Sequence, residues 1–167
     1  MGQLTRQPAE WIHSAPFQAS ATREIDATPD EVFAALADHE RWPEWFTSVI
    51  GVERFGDLHD GVGSNRRVFI NTRVAIEEEF NVWDPGERWG FVVLSATVPG
   101  LRSLIELVTI DDLGNGHSSV TYKMGVEGKF PLSLLLKVAT APMEKNLGNA
   151  LDNLGPHIAA GRGTAPS

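Results

Sequence analysis

The chain has 167 residues, of which 42% are hydrophobic and 22% are charged, as is ordinary for a single globular domain. Its formal net charge of −8 disfavours nucleic acids and anionic membranes as partners, because an acidic surface repels phosphate groups. The absence of cysteine excludes disulfides, thiolate nucleophiles and cysteine-bound metals.

The two ends of the chain are polar and carry no recognisable targeting signal. We expect residues 1–16 to form a flexible arm or a short docking segment that contains Trp11 and Ile12. Charged residues interrupt every N-terminal apolar run, and no stretch approaches the length of a membrane span. We therefore predict a cytoplasmic protein without membrane insertion, with one domain over residues 17–160 and a disordered tail over residues 161–167.

A strand and two short helices are predicted first. Apolar and polar residues alternate over residues 17–25, which indicates a strand. Thr28 can then cap a helix in which Pro29 occupies the first position. Residues 41–46 predict a short helical piece that a proline interrupts.

Six further strand-like segments follow, separated by turns rich in glycine, asparagine and proline. They span roughly residues 49–55, 65–70, 73–83, 88–97, 102–111 and 119–127. Short turns join antiparallel neighbours, so we predict a meandering antiparallel sheet of about seven strands.

The last segment changes to a helical period. From Pro131 onward, apolar residues recur at steps of three to five, which predicts one long helix. We expect Pro142 to kink or split this helix. The side chains expected to face the sheet are Leu135, Val138, Leu147, Leu151 and Leu154. A sheet curled around one helix leaves a space between them, and mostly apolar spaces of this kind bind small molecules.

Several stretches resemble the polyketide cyclase/dehydrase and START-like superfamily, whose members are also called SRPBCC or helix-grip proteins. The run ATPDEVFAALAD at residues 27–38, followed by WPEW at 42–45, resembles the opening of this superfamily. The stretch WDPGER at residues 83–88 is similar to its central hairpin, and GHSSVTY at 116–122 to the entry of its last strand. The resemblance extends from about residue 17 to residue 160.

This resemblance implies an α+β helix-grip fold, shared by bacterial polyketide cyclases, lipid-transfer START domains and birch pollen allergen. Three functions remain open, in order of preference. The first is binding of a hydrophobic lipid, polyketide-like or aromatic molecule, as a carrier or sensor without a cofactor. The second is a cyclase, aromatase or dehydratase that uses acid–base residues in the cavity. The third is a protein-interaction module.

The segment 73–83 places one carboxylate on its apolar side. The residues expected to line the cavity from this strand are Val74, Ile76, Glu78, Phe80 and Val82. Burial would raise the pKa of Glu78 and suit it to acid–base catalysis. The alternative is structural, with a bulge that turns Glu78 away or an arginine that pairs with it.

Three further residues are candidates for ligand contact. Arg23 shares a side of its strand with apolar residues, so it could bind a ligand carboxylate or neutralise Glu78, unless it extends to water. Tyr122 lies in step with Met124 on the predicted inward side. A buried phenol needs a polar partner, which either a ligand or the protein can supply.

Two regions give weaker signals. Trp45, together with Trp42 and Phe46, forms either a rim of the cavity or a cap on the core. Glu106 lies on a strand whose two sides are equally apolar, so its direction is not determined by the pattern. The five histidines show no ligand spacing, and we predict no metal site.

Overall fold

The computed structural model describes residues 1–163. Its strands and α-helices are, in chain order, β1 (Gly2–Gln3), β2 (Phe17–Ile25), α1 (Pro29–Ala37), α2 (Trp42–Trp45), β3 (Gly51–Phe55), β4 (Asn65–Phe69), β5 (Ala75–Asp84), β6 (Arg88–Ala96), β7 (Leu101–Gly114), β8 (His117–Gly128) and α3 (Leu132–Arg162). Two short 3-10 helices, Ala9–His13 and His39–Arg41, complete the regular elements of the described residues.

The strands form one antiparallel sheet in the order β2-β8-β7-β6-β5-β4-β3, with β1 added beside β6. The meander from β3 to β8 follows from the short turns between these strands. Strand β2 pairs with β8 and forms the edge of the sheet opposite β3. Two register shifts in β5, after Glu77 and after Phe80, mark bulges, which bend a strand. The predicted helix-grip fold, a curved antiparallel sheet around α3 with short helices after β2, is confirmed.

Helix α1 begins at a reciprocal cap. The Glu31 amide donates to the Thr28 hydroxyl at 3.3 Å, and the Thr28 amide donates to the Glu31 carboxylate at 2.8 Å. Arg162 at the end of α3 donates to the same carboxylate at 2.7 Å. The Arg162 guanidinium and the Thr28 amide hold the pKa of Glu31 down at about 2. These contacts connect the C-terminal end of α3 to α1.

The C-terminal half of α3 packs as predicted. Its fully buried side chains include Leu147, Leu151 and Leu154. The helix also runs without a break through Pro142 and Pro156, so the predicted split is wrong.

The N-terminal half of α3 is rotated relative to the prediction. Leu135 and Val138 do not face the sheet; they are 60% and 76% exposed, and Leu136 is buried instead. The reason is a close approach at Gly128 of β8, where a Cβ atom would lie 3.0 Å from side-chain carbons of both Leu132 and Leu136. Because three consecutive leucines occupy residues 134–136, the periodicity of this part of the helix did not identify the buried side.

Residues 1–16 belong to the packed domain instead of extending from it as an arm. Strand β1 pairs with β6, and Ile12 and Ala15 are buried. Their contacts lie on the side of the sheet away from α3, where Gly125 brings the β8 backbone close to Ala15 and Ile105. This second apolar layer explains why both sides of β7 are apolar.

The predicted tail begins inside α3, which extends to Arg162, and residues 164–167 lie outside the described residues. Within residues 1–163, no helix is both long enough and apolar enough to cross a membrane. A cytoplasmic location remains a prediction.

Candidate functional site

A cavity of about 160 Å³ lies between the inner side of the sheet, the loop after α2, and α3. Its walls are mainly apolar and include Trp42, Phe46, Val68, Ile76, Phe91 and Met124. The ionisable side chains among the lining residues are the carboxyls of Glu78 and Glu106. On the opposite side, the Ser48 hydroxyl donates to the side-chain carbonyl of Asn146 at 2.5 Å, which connects the loop to α3.

Glu78 is paired with a buried arginine. Arg66 lies directly opposite it in the β4–β5 register, and Arg66 Nε donates to Glu78 Oε2 at 2.5 Å. The side chains of Arg66 and Glu78 are 0% and 2% exposed. The guanidinium carbon lies 3.9 Å from the centroid of the Trp42 ring. Because Arg66 Nη1 and Nη2 have no hydrogen-bond partner among the described residues, this cation–π contact takes the place of further hydrogen bonds.

The second carboxyl, Glu106, is paired with a phenol. It lies on β7, and the hydroxyl of the fully buried Tyr122 on β8 donates to its Oε2 atom. Burial and the nearby charge of Glu78 raise the pKa of Glu106 to about 8, despite the opposing effects of Tyr122 and Arg66. Burial and Glu106 also raise the pKa of Tyr122 well above its ordinary value, so the phenol stays protonated.

The two carboxyls therefore differ in their proton affinity. Burial raises the pKa of Glu78, while the charge and hydrogen bond of Arg66 act against this. Glu106 has no such cation as a direct partner and holds its proton at neutral pH. The Oε1 atoms of Glu78 and Glu106 accept no hydrogen bond from the described residues. The cavity thus offers two acidic groups, each with a free oxygen, inside apolar walls.

The raised pKa of Glu106 predicts that stability falls as pH rises. The folded protein keeps this proton up to about pH 8, whereas the unfolded chain releases it near pH 4.5. Stability is therefore lost progressively between these values, by at most about 1.4 kcal/mol per pH unit for this group. We expect Glu106→Gln to reduce this slope, measured by urea unfolding between pH 6.5 and pH 8.

The upper part of that window lies above most of the opposite effect of a buried histidine. Burial and the charge of Arg66 lower the pKa of His39 from 6.5 to about 3. Because the unfolded chain then binds a proton that the folded protein does not, His39 lowers the stability as pH falls below 6.5. The exposed Glu10 supplies the control, because Glu10→Gln should leave the slope unchanged. Equal slopes in the parent protein and in Glu106→Gln would contradict the prediction.

The structure brings together only part of the predicted set. Ile76, Glu78 and Met124 line the cavity, and Tyr122 lies behind Glu106 as its hydrogen-bond donor. The predicted inward parity of β5 is confirmed by the alternating burial of Ile76, Glu78, Phe80 and Val82.

Phe80, Val82 and Val74 do not line the cavity. Phe80 is part of an aromatic cluster at one end of the sheet, where it stacks on His39 with ring centroids 4.9 Å apart. Phe80 also contacts the ring of Trp89 at 4.9 Å. These large side chains fill the inner space near Phe80, so the cavity is confined to the part beside Ile76.

Arg23 and Trp45 also lie elsewhere. Arg23 Nε donates to Asp152 Oδ1 of α3 at 2.6 Å on the surface, so Arg23 neither pairs with Glu78 nor lines the cavity. Trp45 is fully buried against Trp42, with ring centroids 4.8 Å apart, and caps the core. Its neighbours Trp42 and Phe46 do line the cavity.

Sequence reasoning missed three polar residues of this site, Arg66, Ser48 and Asn146, and it did not determine the direction of Glu106. The helical period gives no signal for Asn146, since it lies one position before the buried Leu147. Among residues 1–163, no three acidic or histidine side chains converge in a way that could hold a metal ion.

Curated relatives cover only part of the chain. Uncharacterized proteins of Mycobacterium bovis and Mycobacterium tuberculosis are 32% identical over 81 residues. These residues make up 48% of this chain and 48% of each relative, so the chain spans about half the length of the curated relatives it matches.

Solved structures share the fold over most of the chain. A START superfamily protein from Mycobacterium smegmatis superimposes with a TM-score of 0.71 at 17% identity, covering 85% of this chain and 99% of that chain. The Zhui aromatase/cyclase from Streptomyces sp. R1128 gives a TM-score of 0.70 at 14% identity, covering 85% and 93%. At these identities the likeness concerns the fold.

A family model described as "Polyketide cyclase / dehydrase and lipid transport" matches residues 16–159. The match includes every strand from β2 to β8, both carboxyls of the cavity, and most of α3. The family and the fold fit a hydrophobic ligand-binding or cyclase role. The chain therefore belongs to the family of polyketide cyclases, dehydrases and lipid-transport proteins.

Proposed function

We propose that this protein binds a small, mainly apolar molecule in the cavity between the sheet and α3. The single observation that carries this proposal is an apolar cavity in which two buried carboxyls, Glu78 and Glu106, each present a free oxygen. Apolar walls with a few convergent polar groups are the usual form of a small-molecule site.

The cavity size restricts the ligand. Typical drug-sized sites enclose roughly 300–1,000 Å³, whereas a cavity of about 150 Å³ accepts benzene. At about 160 Å³, this cavity matches one aromatic ring or a comparably compact group. The free oxygen of the Glu78 carboxylate accepts a hydrogen bond, whereas the protonated Glu106 can donate one, so a ligand hydroxyl, which can both donate and accept, is favoured.

Calorimetric titration with p-cresol and toluene tests this proposal, because the two probes differ by one hydroxyl group. We expect both to bind, and p-cresol to bind about 5-fold more tightly because its hydroxyl can donate to a carboxyl oxygen. Ile70→Trp should abolish binding, since Ile70 lines the cavity and is only half-buried, so the larger ring fills the site without disrupting the core.

Ile50→Trp is the matched control. Ile50 is 56% exposed and does not line the cavity, so this variant should bind both probes like the parent protein. Failure of the parent protein to bind either probe, or equal binding by Ile70→Trp, would contradict the proposal.

An enzymatic role on the same ligand is the second candidate. It is favoured by the pKa of about 8 for Glu106, because a general acid or base works best when its pKa lies near the working pH. Native mass spectrometry of the purified protein identifies a retained ligand, and its chemical change on incubation separates the enzyme from the carrier. Loss of that change in Glu106→Gln, with ligand binding retained, is the outcome expected of an enzyme.

A further inference from the structure

The N-terminal part of α3 carries an apolar surface that the rest of the described chain does not cover. We call it the α3 patch and define it by Phe130, Leu134, Leu135 and Val138. Their exposed fractions are 81%, 56%, 60% and 76%. A helix that is apolar on its outer side as well as its inner side normally has something packed against both sides.

The three helical members of the α3 patch share one side of the helix. Leu134, Leu135 and Val138 are spaced by one, three and four residues, which places them on one side of a helix. The next positions on this side, Ala141 and Pro142, are also exposed and uncharged. This apolar side of the helix therefore extends over about three turns. The exposed Phe130 lies just before its first turn.

Positive charge surrounds the α3 patch in an otherwise acidic protein. Lys129, Lys137 and Lys145 are exposed and are three of the four lysines in the chain. Their side chains form no ion pair with the described residues, whereas most arginines of the protein are paired with carboxylates. Between residues 129 and 145, Glu144 is the one acidic residue.

We propose that the α3 patch docks onto a membrane surface that contains anionic phospholipid. The apolar side chains would enter the boundary between headgroups and acyl chains, and the lysines would reach the headgroup phosphates. The net charge of −8 disfavours an anionic surface for the chain as a whole. Because salt screens charges beyond about 10 Å, however, the lysines beside the α3 patch dominate the electrostatic interaction at contact. This is attachment from one side and requires no membrane-spanning helix.

The position of the α3 patch relative to the cavity supports this assignment. Asn146 lines the cavity and lies eight residues after Val138, or about 12 Å further along the helix. A protein docked through this end of α3 would hold the cavity near the lipid, where apolar molecules concentrate. The docking itself stands on the exposed residues and does not depend on the proposed ligand.

Vesicle flotation tests the proposal directly. The full chain is mixed with vesicles of phosphatidylcholine, with or without phosphatidylglycerol, at low and high salt. We expect binding to the vesicles with phosphatidylglycerol and its weakening at high salt. The paired variant Leu135→Gln, Val138→Gln should weaken binding by at least about 10-fold, and Lys137→Gln by about 5-fold.

Two exposed apolar residues elsewhere supply the control. Val62 and Leu113 are 61% and 49% exposed, so Val62→Gln, Leu113→Gln removes similar apolar surface away from α3 and should float like the parent protein. The proposal is overturned if the parent protein ignores both kinds of vesicle, or if the α3 and control variants float equally well. It is also overturned if sedimentation shows a dimer that the α3 variants dissociate, without vesicle binding.

Discussion

Replacing Arg66 with methionine is expected to lower the free energy of unfolding by about 3–5 kcal/mol at neutral pH. The substitution keeps an apolar side chain beside Trp42 but leaves the Glu78 carboxylate buried without its cation. A buried carboxylate without a partner must either bind a proton or remain as an unfavourable charge. Urea unfolding at several pH values measures the effect, which should diminish as pH falls and Glu78 takes up a proton.

A second substitution separates the ion pair from general packing. The double variant Arg66→Met, Glu78→Leu should recover most of the lost stability, because apolar side chains can replace a buried ion pair at little loss. Arg67→Met is the surface control, since Arg67 pairs with Glu77 at the partly exposed side of the same strands and should change stability by about 1 kcal/mol or less. A double variant no more stable than Arg66→Met would show that the two side chains are not coupled.

Leu147→Asp should unfold the protein or destabilise it by about 4 kcal/mol or more. Leu147 is fully buried where α3 meets the core, so the variant loses the burial of a leucine and places a carboxylate without a partner in apolar surroundings. Circular dichroism during thermal unfolding gives the measurement.

Val138→Asp is the matched control for this prediction. Val138 lies on the same helix, but it is 76% exposed, so the same new side chain should change stability by only about 0.5 kcal/mol. Equal melting temperatures for Leu147→Asp and the parent protein would contradict the packing of α3 described above.

The fold was predictable because its signals are local. Alternation, short turns and the capping residue Thr28 are all visible within a few residues. The rotation of Leu135 and Val138 away from the sheet was not visible, because it depends on the contact of Leu136 with Gly128 on another strand.

The candidate site shows the same division between local and distant information. Strand parity correctly directs Glu78 inward, but it does not identify a partner, and Arg23, one of the partners left open in the sequence analysis, lies on a strand that is distant in the sheet. The pairing with Arg66 was within reach, because a hairpin centred on Thr72 places positions six residues before and after it opposite each other. The sequence pattern could not determine the direction of the Glu106 side chain, because the buried segment around Ile12 requires the strand to be apolar on both sides.

The uneven packing of α3 determines how a molecule too large for the cavity could enter. The C-terminal half is held by several buried leucines and by surface ion pairs to Asp152 and from Arg162. Before Asn146, Leu136 is the one buried residue of the helix, and a hydrogen bond from the Ser48 hydroxyl connects Asn146 to the facing loop. Parts of a protein with few buried contacts open at lower free energy than the whole. Detachment of the front half of α3 would therefore open the cavity beside Asn146 while the rest of the domain stays folded.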